Sequence, residues 1–229
     1  MRWSTRVHTT ALACLNLRVA AVACRLTFDA FGFGNGMDDW HAIQRVLVGL
    51  GGVVPACVIA CLCVIALGAR GAWQRVALFL SALLVAIGIG VASKVLHYAW
   101  DVSYGLAVFR GASGHALRAA ALYPAFAWIV FTGSSRLRCT TWVVIGSLVA
   151  LAVAIATIDK AIHTPVEAFT GALLGAIVPI LIARAGPLPP LSGRLQALLV
   201  ACAIALCVAL PATHYDFERR VVELSQRLQ

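Results

Sequence analysis

The chain has 229 residues, of which 62% are hydrophobic and only 12% charged, and its mean hydropathy is +0.92. A water-soluble domain of this size needs far more charged surface, so the composition specifies an integral membrane protein. The net charge of +9 would suggest nucleic acid in a soluble protein, but no basic–aromatic interleaving accompanies it. Cytoplasmic arginines explain it more simply, and no nucleic-acid partner is expected.

A spanning helix needs about 20 mostly apolar residues. In chain order the first candidate is 10–27, "TALACLNLRVAAVACRLT". It is the weakest, because Arg18 sits in its middle and a central arginine is costly unless it snorkels or faces the bundle. No small-residue cleavage pattern marks it as a signal peptide, and it is taken as a poorly anchored first helix. Six clear spans follow, at roughly 46–67, 76–93, 116–132, 141–158, 168–184 and 195–211. The expected fold is all-α, a polytopic transmembrane helical bundle forming one membrane domain over 1–229. Neither an internal repeat nor an interrupted helix pair is evident, which argues against a transporter.

Turn residues mark the joints between spans. "GARGAWQR" (68–75), "GSSRLRC" (133–139) and "AGPLPPLSGR" (185–194) are short, bear glycine or proline, and contain no acidic residue. They carry Arg70, Arg75, Arg136, Arg138 and Arg194, with Arg184 at the edge. Alternating spans place them on one side, which the positive-inside rule makes cytoplasmic. The acidic residues Asp29, Asp38, Asp39, Asp101, Asp159, Glu167, Asp216, Glu218 and Glu223 fall on the opposite side or at its edge. The expected location is a bacterial inner (plasma) membrane, with any outer site on the periplasmic or outer face.

Cys57, Cys61, Cys63, Cys202 and Cys207 lie within apolar runs, where cysteine acts as a small hydrophobe. No paired CxxC-like unit with histidine partners is present, so no metal site is expected.

Against this charge pattern, Lys94, Arg110, Arg118 and Lys160 stand at the outer ends of helices. Snorkelling accounts for any one of them. Four together point to an anionic ligand. Two polar islands contain them or lie beside them. In "FRGASGHALRAA" (109–120), Ser113 reads as an N-cap, with Gly114 and His115 in the first turn. A helix start presents free backbone N–H groups and a positive dipole end, which suit phosphate. His115 and Arg118 are three apart and share a face. In "DKAIHTPVEAFTG" (159–171), Thr164-Pro165-Val166-Glu167 reads as a capping box. Glu167 can also hold a ring nitrogen of His163, leaving the other for chemistry.

These islands resemble the motifs of the type-2 phosphatidic acid phosphatase superfamily of membrane lipid phosphatases, whose pattern is K-x6-R-P, then P-S-G-H, then S-R-x5-H-x3-D. Here Lys94 ends one span, Ala112-Ser113-Gly114-His115 opens the next, and His163-x3-Glu167 opens a later one. "HTPVEAFTGALLG" resembles the family's H-x-P-S-D-x-x-A-G continuation, and the likeness covers roughly 76–184, the phosphatase-like core. The departures are specific. Asp101 and Val102 stand at the first motif's arginine and proline, Ala112 at the second motif's proline, Ala156-Thr157 at the third motif's Ser-Arg, and Glu167 at its aspartate. Lys160 is three residues after Thr157 and so shares its helix face, which makes it the expected substitute for the missing arginine. Lysine supplies a point charge in place of a planar fork.

The resemblance implies a metal-independent, cofactor-free phosphatase acting on a lipid phosphomonoester or pyrophosphate in the bilayer. His163 would form a phosphohistidine, Glu167 would orient it, and His115 would serve as acid and then base. Lys94, Ser113, Gly114, Arg118, Lys160 and Arg110 would hold the phosphate. A non-catalytic binder or carrier of anionic lipid would use the same cations and tolerate loss of the His163 imidazole.

Overall fold

The computed structural model describes residues 36–100 and 109–209. The expected helix at 10–27 and the motif departures at Asp101 and Val102 lie outside the described residues. Within them the fold is all-helical: α1 (Gly36–Leu50), α2 (Val53–Gly68), α3 (Trp73–Trp100), α4 (Gly114–Phe131), α5 (Arg136–Asp159), α6 (Pro165–Arg184) and α7 (Gly193–Ala209).

Three of these, α3, α5 and α6, are long and apolar enough to cross a membrane, and α1 with α2 makes a fourth if that bent pair is one span. Leu84, Val85, Leu148, Ile155, Leu173 and Ile177 point outward from the three long helices and are exposed. In water such a surface would aggregate, and in a bilayer it is ordinary.

The expected continuous helix at 46–67 is broken. Gly51 and Gly52 interrupt it, Gly52 is extended, and the two halves meet at 52°. Two adjacent glycines and Pro55, which lacks an N–H, make this the cheapest place to stop and restart a helix. One interrupted helix pair therefore exists where none was expected. Helices α3, α4, α5 and α6 run longer than their apolar runs, because polar end residues continue the hydrogen-bond ladder. Lys94, expected at the end of a span, lies well inside α3 and is buried.

α4 is the central helix, with 12 of its 18 residues buried. Its alanines let neighbours approach closely, as helices in a bilayer require when no hydrophobic drive separates protein from lipid. Gly171 and Gly175 of α6 lie against the backbone of α4. A Cβ on Gly175 would collide with the Leu117 carbonyl oxygen, and one on Gly171 with that of Ser113. Gly175→Ala should therefore destabilise the bundle by about 1–3 kcal/mol through overpacking, seen as a lower melting temperature in detergent. The same change at Gly88, where an added Cβ meets nothing within 4 Å, should leave it unchanged.

The three arginine-bearing loops meet at one end of the bundle. Arg70 donates from Nε to Pro189 O at 2.6 Å and from Nη1 to Ala66 O at 3.0 Å. Arg75 donates to the carbonyls of Gly186, Ala185 and Pro187, and Gly133, at φ 82°, packs on the Leu188–Pro190 backbone. Arg75 thus satisfies carbonyls left open at the C-terminus of α6. Partial burial lowers the Arg70 guanidinium to about 10, which still leaves it cationic at neutral pH. The polar islands occupy the other end.

Candidate active site

The second island folds as its sequence suggests. The Thr164 hydroxyl accepts from the Glu167 N–H at 3.3 Å, and Glu167 Oε2 accepts from the Thr164 N–H at 3.0 Å. The same Oε2 lies 3.2 Å from His163 Nδ1. Capping and histidine orientation, weighed as alternatives from the sequence, coexist on one oxygen. The remaining oxygen, Oε1, accepts from the Arg110 N–H at 2.8 Å. Glu167 thus fastens the loop before α4 to the start of α6, a tie repeated where the Ser113 N–H donates to Glu167 O at 2.8 Å.

His163 is held from behind as well. Thr157 O accepts from the N–H groups of Ile162 (3.0 Å) and His163 (3.2 Å), closing the turn between α5 and α6. That turn passes through Ala161 at φ 55°. This left-handed position normally falls to glycine, and alanine there stores local strain two residues before the histidine. His163 and Glu167 are 5% and 4% exposed. With Nδ1 bound to the carboxylate, chemistry at this ring runs through Nε2.

The first island closes over the pair. Ser113 caps α4, its hydroxyl accepting from the Ala116 N–H at 3.4 Å. Its side chain is completely buried, so the structure gives it a capping role at the position expected to bind phosphate. The His115 ring lies 6.0 Å from that of His163, centroid to centroid. An in-line phosphoryl transfer needs about 3 Å from nucleophile to phosphorus and about 3 Å from leaving oxygen to acid, so the separation is of the right scale.

Arg118 and Lys94 are the cations that act electrostatically on His115. Lys94 is only 8% exposed, and its aliphatic stem packs on Gly111, which is at φ 116° and leaves no room for a Cβ. Arg118 donates from Nε to Gly51 O at 2.9 Å, so the helix break fixes the guanidinium beside Gly114. Lys160 behaves differently. It caps α5, and its Nζ lies 3.5 Å from His41 Nδ1 of α1. Arg110 contributes its backbone N–H, and its side chain is exposed.

Sequence reading missed three participants. Ser93 Oγ accepts from the Ala112 N–H at 3.0 Å and donates to Gly90 O at 2.8 Å, fixing the loop before α4 onto α3. His41 meets Lys160, and Gly51 anchors Arg118. None has a local signature, because each acts on a residue at least 19 positions away. Among the described residues no three His, Cys, Asp or Glu side chains converge as a metal ion would require. Comparisons with protein-family models, curated proteins and solved structures find no match.

Proposed function

We propose that the protein is a membrane phosphatase that hydrolyses a lipid phosphomonoester or pyrophosphate through a phosphohistidine. One observation carries the reading: a buried histidine oriented by a carboxylate faces a second histidine across about one phosphoryl group's width, beside buried or fixed cations. In the first step His163 Nε2 attacks phosphorus and the P–O bond to the lipid breaks. The leaving oxygen takes a proton from His115. In the second step His115 removes a proton from water, the oxygen attacks phosphorus, and the P–N bond breaks to release inorganic phosphate. Lys94, Arg118 and the first N–H groups of α4 oppose the charge that moves among the phosphoryl oxygens.

The bundle reads as six spans, α1–α2 counting as one, plus a weaker N-terminal span, with the arginine end cytoplasmic and the histidine end extracytoplasmic in a bacterial inner or plasma membrane. Single-cysteine labelling on a cysteine-free background tests this. Position 162 should react from outside and positions 135 and 190 from inside. Reaction of 162 and 135 from the same side would overturn the arrangement.

The activity is tested by assaying purified protein against phosphatidate, phosphatidylglycerophosphate and polyprenyl phosphates for released phosphate, with chelator present. Release from at least one is expected, and none from any would defeat the proposal. The cations should separate in the same assay. Lys94→Ala should lower kcat/KM by about 10²-fold or more, the scale of one oriented transition-state contact. Lys160→Ala should cost only a few-fold, because its ammonium is directed at His41 near the rim, where an exposed charge is worth about 0–1 kcal/mol. Equal losses would restore Lys160 as the substitute for the missing arginine.

A further inference from the structure

A groove of about 520 Å³ runs down the outside of the bundle between α5 and α6, with α4 as its floor. Its lining is almost wholly apolar: Ala120, Pro124 and Trp128 from α4, Ala150 and Ala154 among those from α5, and Phe169, Ala172 and Ala176 among those from α6. The groove exists because small side chains stand where α5 and α6 face each other across α4.

Two features give it an occupant. The first is continuity with the histidine site. Phe169 is two residues beyond Glu167 on α6, and Ala154 is three before Thr157, whose carbonyl holds His163. Ala154 also packs with Ala116 and Ala168, which follow His115 and Glu167 directly in the chain. The second is shape. On α6 the lining runs from Phe169 to Ala183, 14 residues at about 1.5 Å each, or about 21 Å. This exceeds half of a bilayer core about 30 Å thick. An extended hydrocarbon chain running from headgroup level toward the middle of the bilayer has that length and meets only apolar side chains along it.

We infer that this groove holds one hydrocarbon chain of the phosphate-bearing lipid while its phosphate lies between His115 and His163. The inference rests on the phosphatase reading for the identity of the headgroup. The groove reaches Trp128 at its arginine end, where the indole limits how deep a chain can lie. The remainder of a two-chain lipid stays in the bilayer.

The test uses hexadecyl phosphate carrying a diazirine at the chain terminus, photolysed with the intact protein in nanodiscs of phosphatidylcholine. Adducts should fall on groove residues of α4, α5 and α6. Excess unlabelled hexadecyl phosphate should remove most of them, and excess hexadecylphosphocholine should not. Ala176→Phe, which fills the groove away from the histidines, should reduce these adducts about tenfold. It should also lower kcat/KM for hexadecyl phosphate by a similar factor, while hydrolysis of a short water-soluble phosphomonoester stays within twofold. Trp128→Ala opens the groove without adding bulk and should shift the preferred chain to greater length. Adducts spread over outward residues such as Leu84 and Val85, or equal competition by the phosphocholine, would show bulk lipid only and overturn the inference. Competed groove adducts without phosphate release from any substrate would leave the groove standing and defeat the phosphatase reading instead.

Discussion

His163→Ala should reduce phosphate release by about 10⁴-fold or more, to the level of protein-free controls, because removing a nucleophile abolishes the covalent route and leaves only binding and charge stabilisation. His115→Ala should behave differently. The acid is dispensable when the leaving group is good, so a nitrophenyl phosphate should still transfer its phosphoryl group to His163 and trap as an acid-labile phosphoprotein. A lipid alkoxide, a poor leaving group, should not. The contrast matters more than either loss alone, since a binder of anionic lipid would show neither effect and would respond only to removal of Lys94 or Arg118. Full activity in His163→Ala would remove the phosphatase reading. The two rings sit 6.0 Å apart, and neither substitution adds volume, so a folded protein is expected in both cases.

Glu167→Gln should lower kcat by about 10²–10⁴-fold, and the hydrogen bonds explain why so small a change costs so much. The carboxylate accepts from three groups: the Arg110 N–H, the Thr164 N–H and His163 Nδ1. An amide replaces one accepting oxygen with a donor. In either orientation it sets N–H against N–H, freeing the loop before α4 in one case and the imidazole in the other. Loss of a carboxylate that fixes a catalytic imidazole costs up to about 10⁴ in kcat where the tautomer is thereby reversed. Glu167→Asp keeps the charge but falls short by one methylene, and should recover part of the loss. A purely structural role predicts another pattern: Glu167→Gln would lower the melting temperature while leaving kcat intact in the protein that remains folded. Measuring both on the same preparation separates the two.

Much of this arrangement was legible locally. The capping box at Thr164–Glu167, the Ser113 cap and the arginine loops follow from residue type and short spacing, and the structure forms each one. The His163–Glu167 contact was legible too, because His163 directly precedes the Thr164 cap, and a capping box that turns the Glu167 carboxylate back to the Thr164 N–H also brings it to His163. Lys160 shows where this reasoning stops. Its spacing from Thr157 made it a plausible stand-in for an arginine, but α5 ends at Asp159 and Lys160 is its cap. Beyond a helix end, periodicity no longer says where a side chain points. Its ammonium lies instead beside His41, 119 residues away.

By itself, then, the sequence determined the chemistry available and its segregation. Hydropathy calls for helices that bury themselves in a bilayer, because an apolar surface of this extent is intolerable in water. Charge places arginine loops apart from histidine islands, because alternating spans send alternate loops to opposite ends. Only the tertiary structure decided which groups meet. Gly171 and Gly175 bring α6 onto the backbone of α4 and so set His163 opposite His115. Gly51 separates α1 from α2 at the point where its carbonyl holds Arg118, and Ser93 fixes the connecting loop to α3. These are contacts between backbones and distant side chains. They depend on how closely whole helices approach one another, and that closeness comes from many small residues acting together, with no single stretch of sequence carrying it.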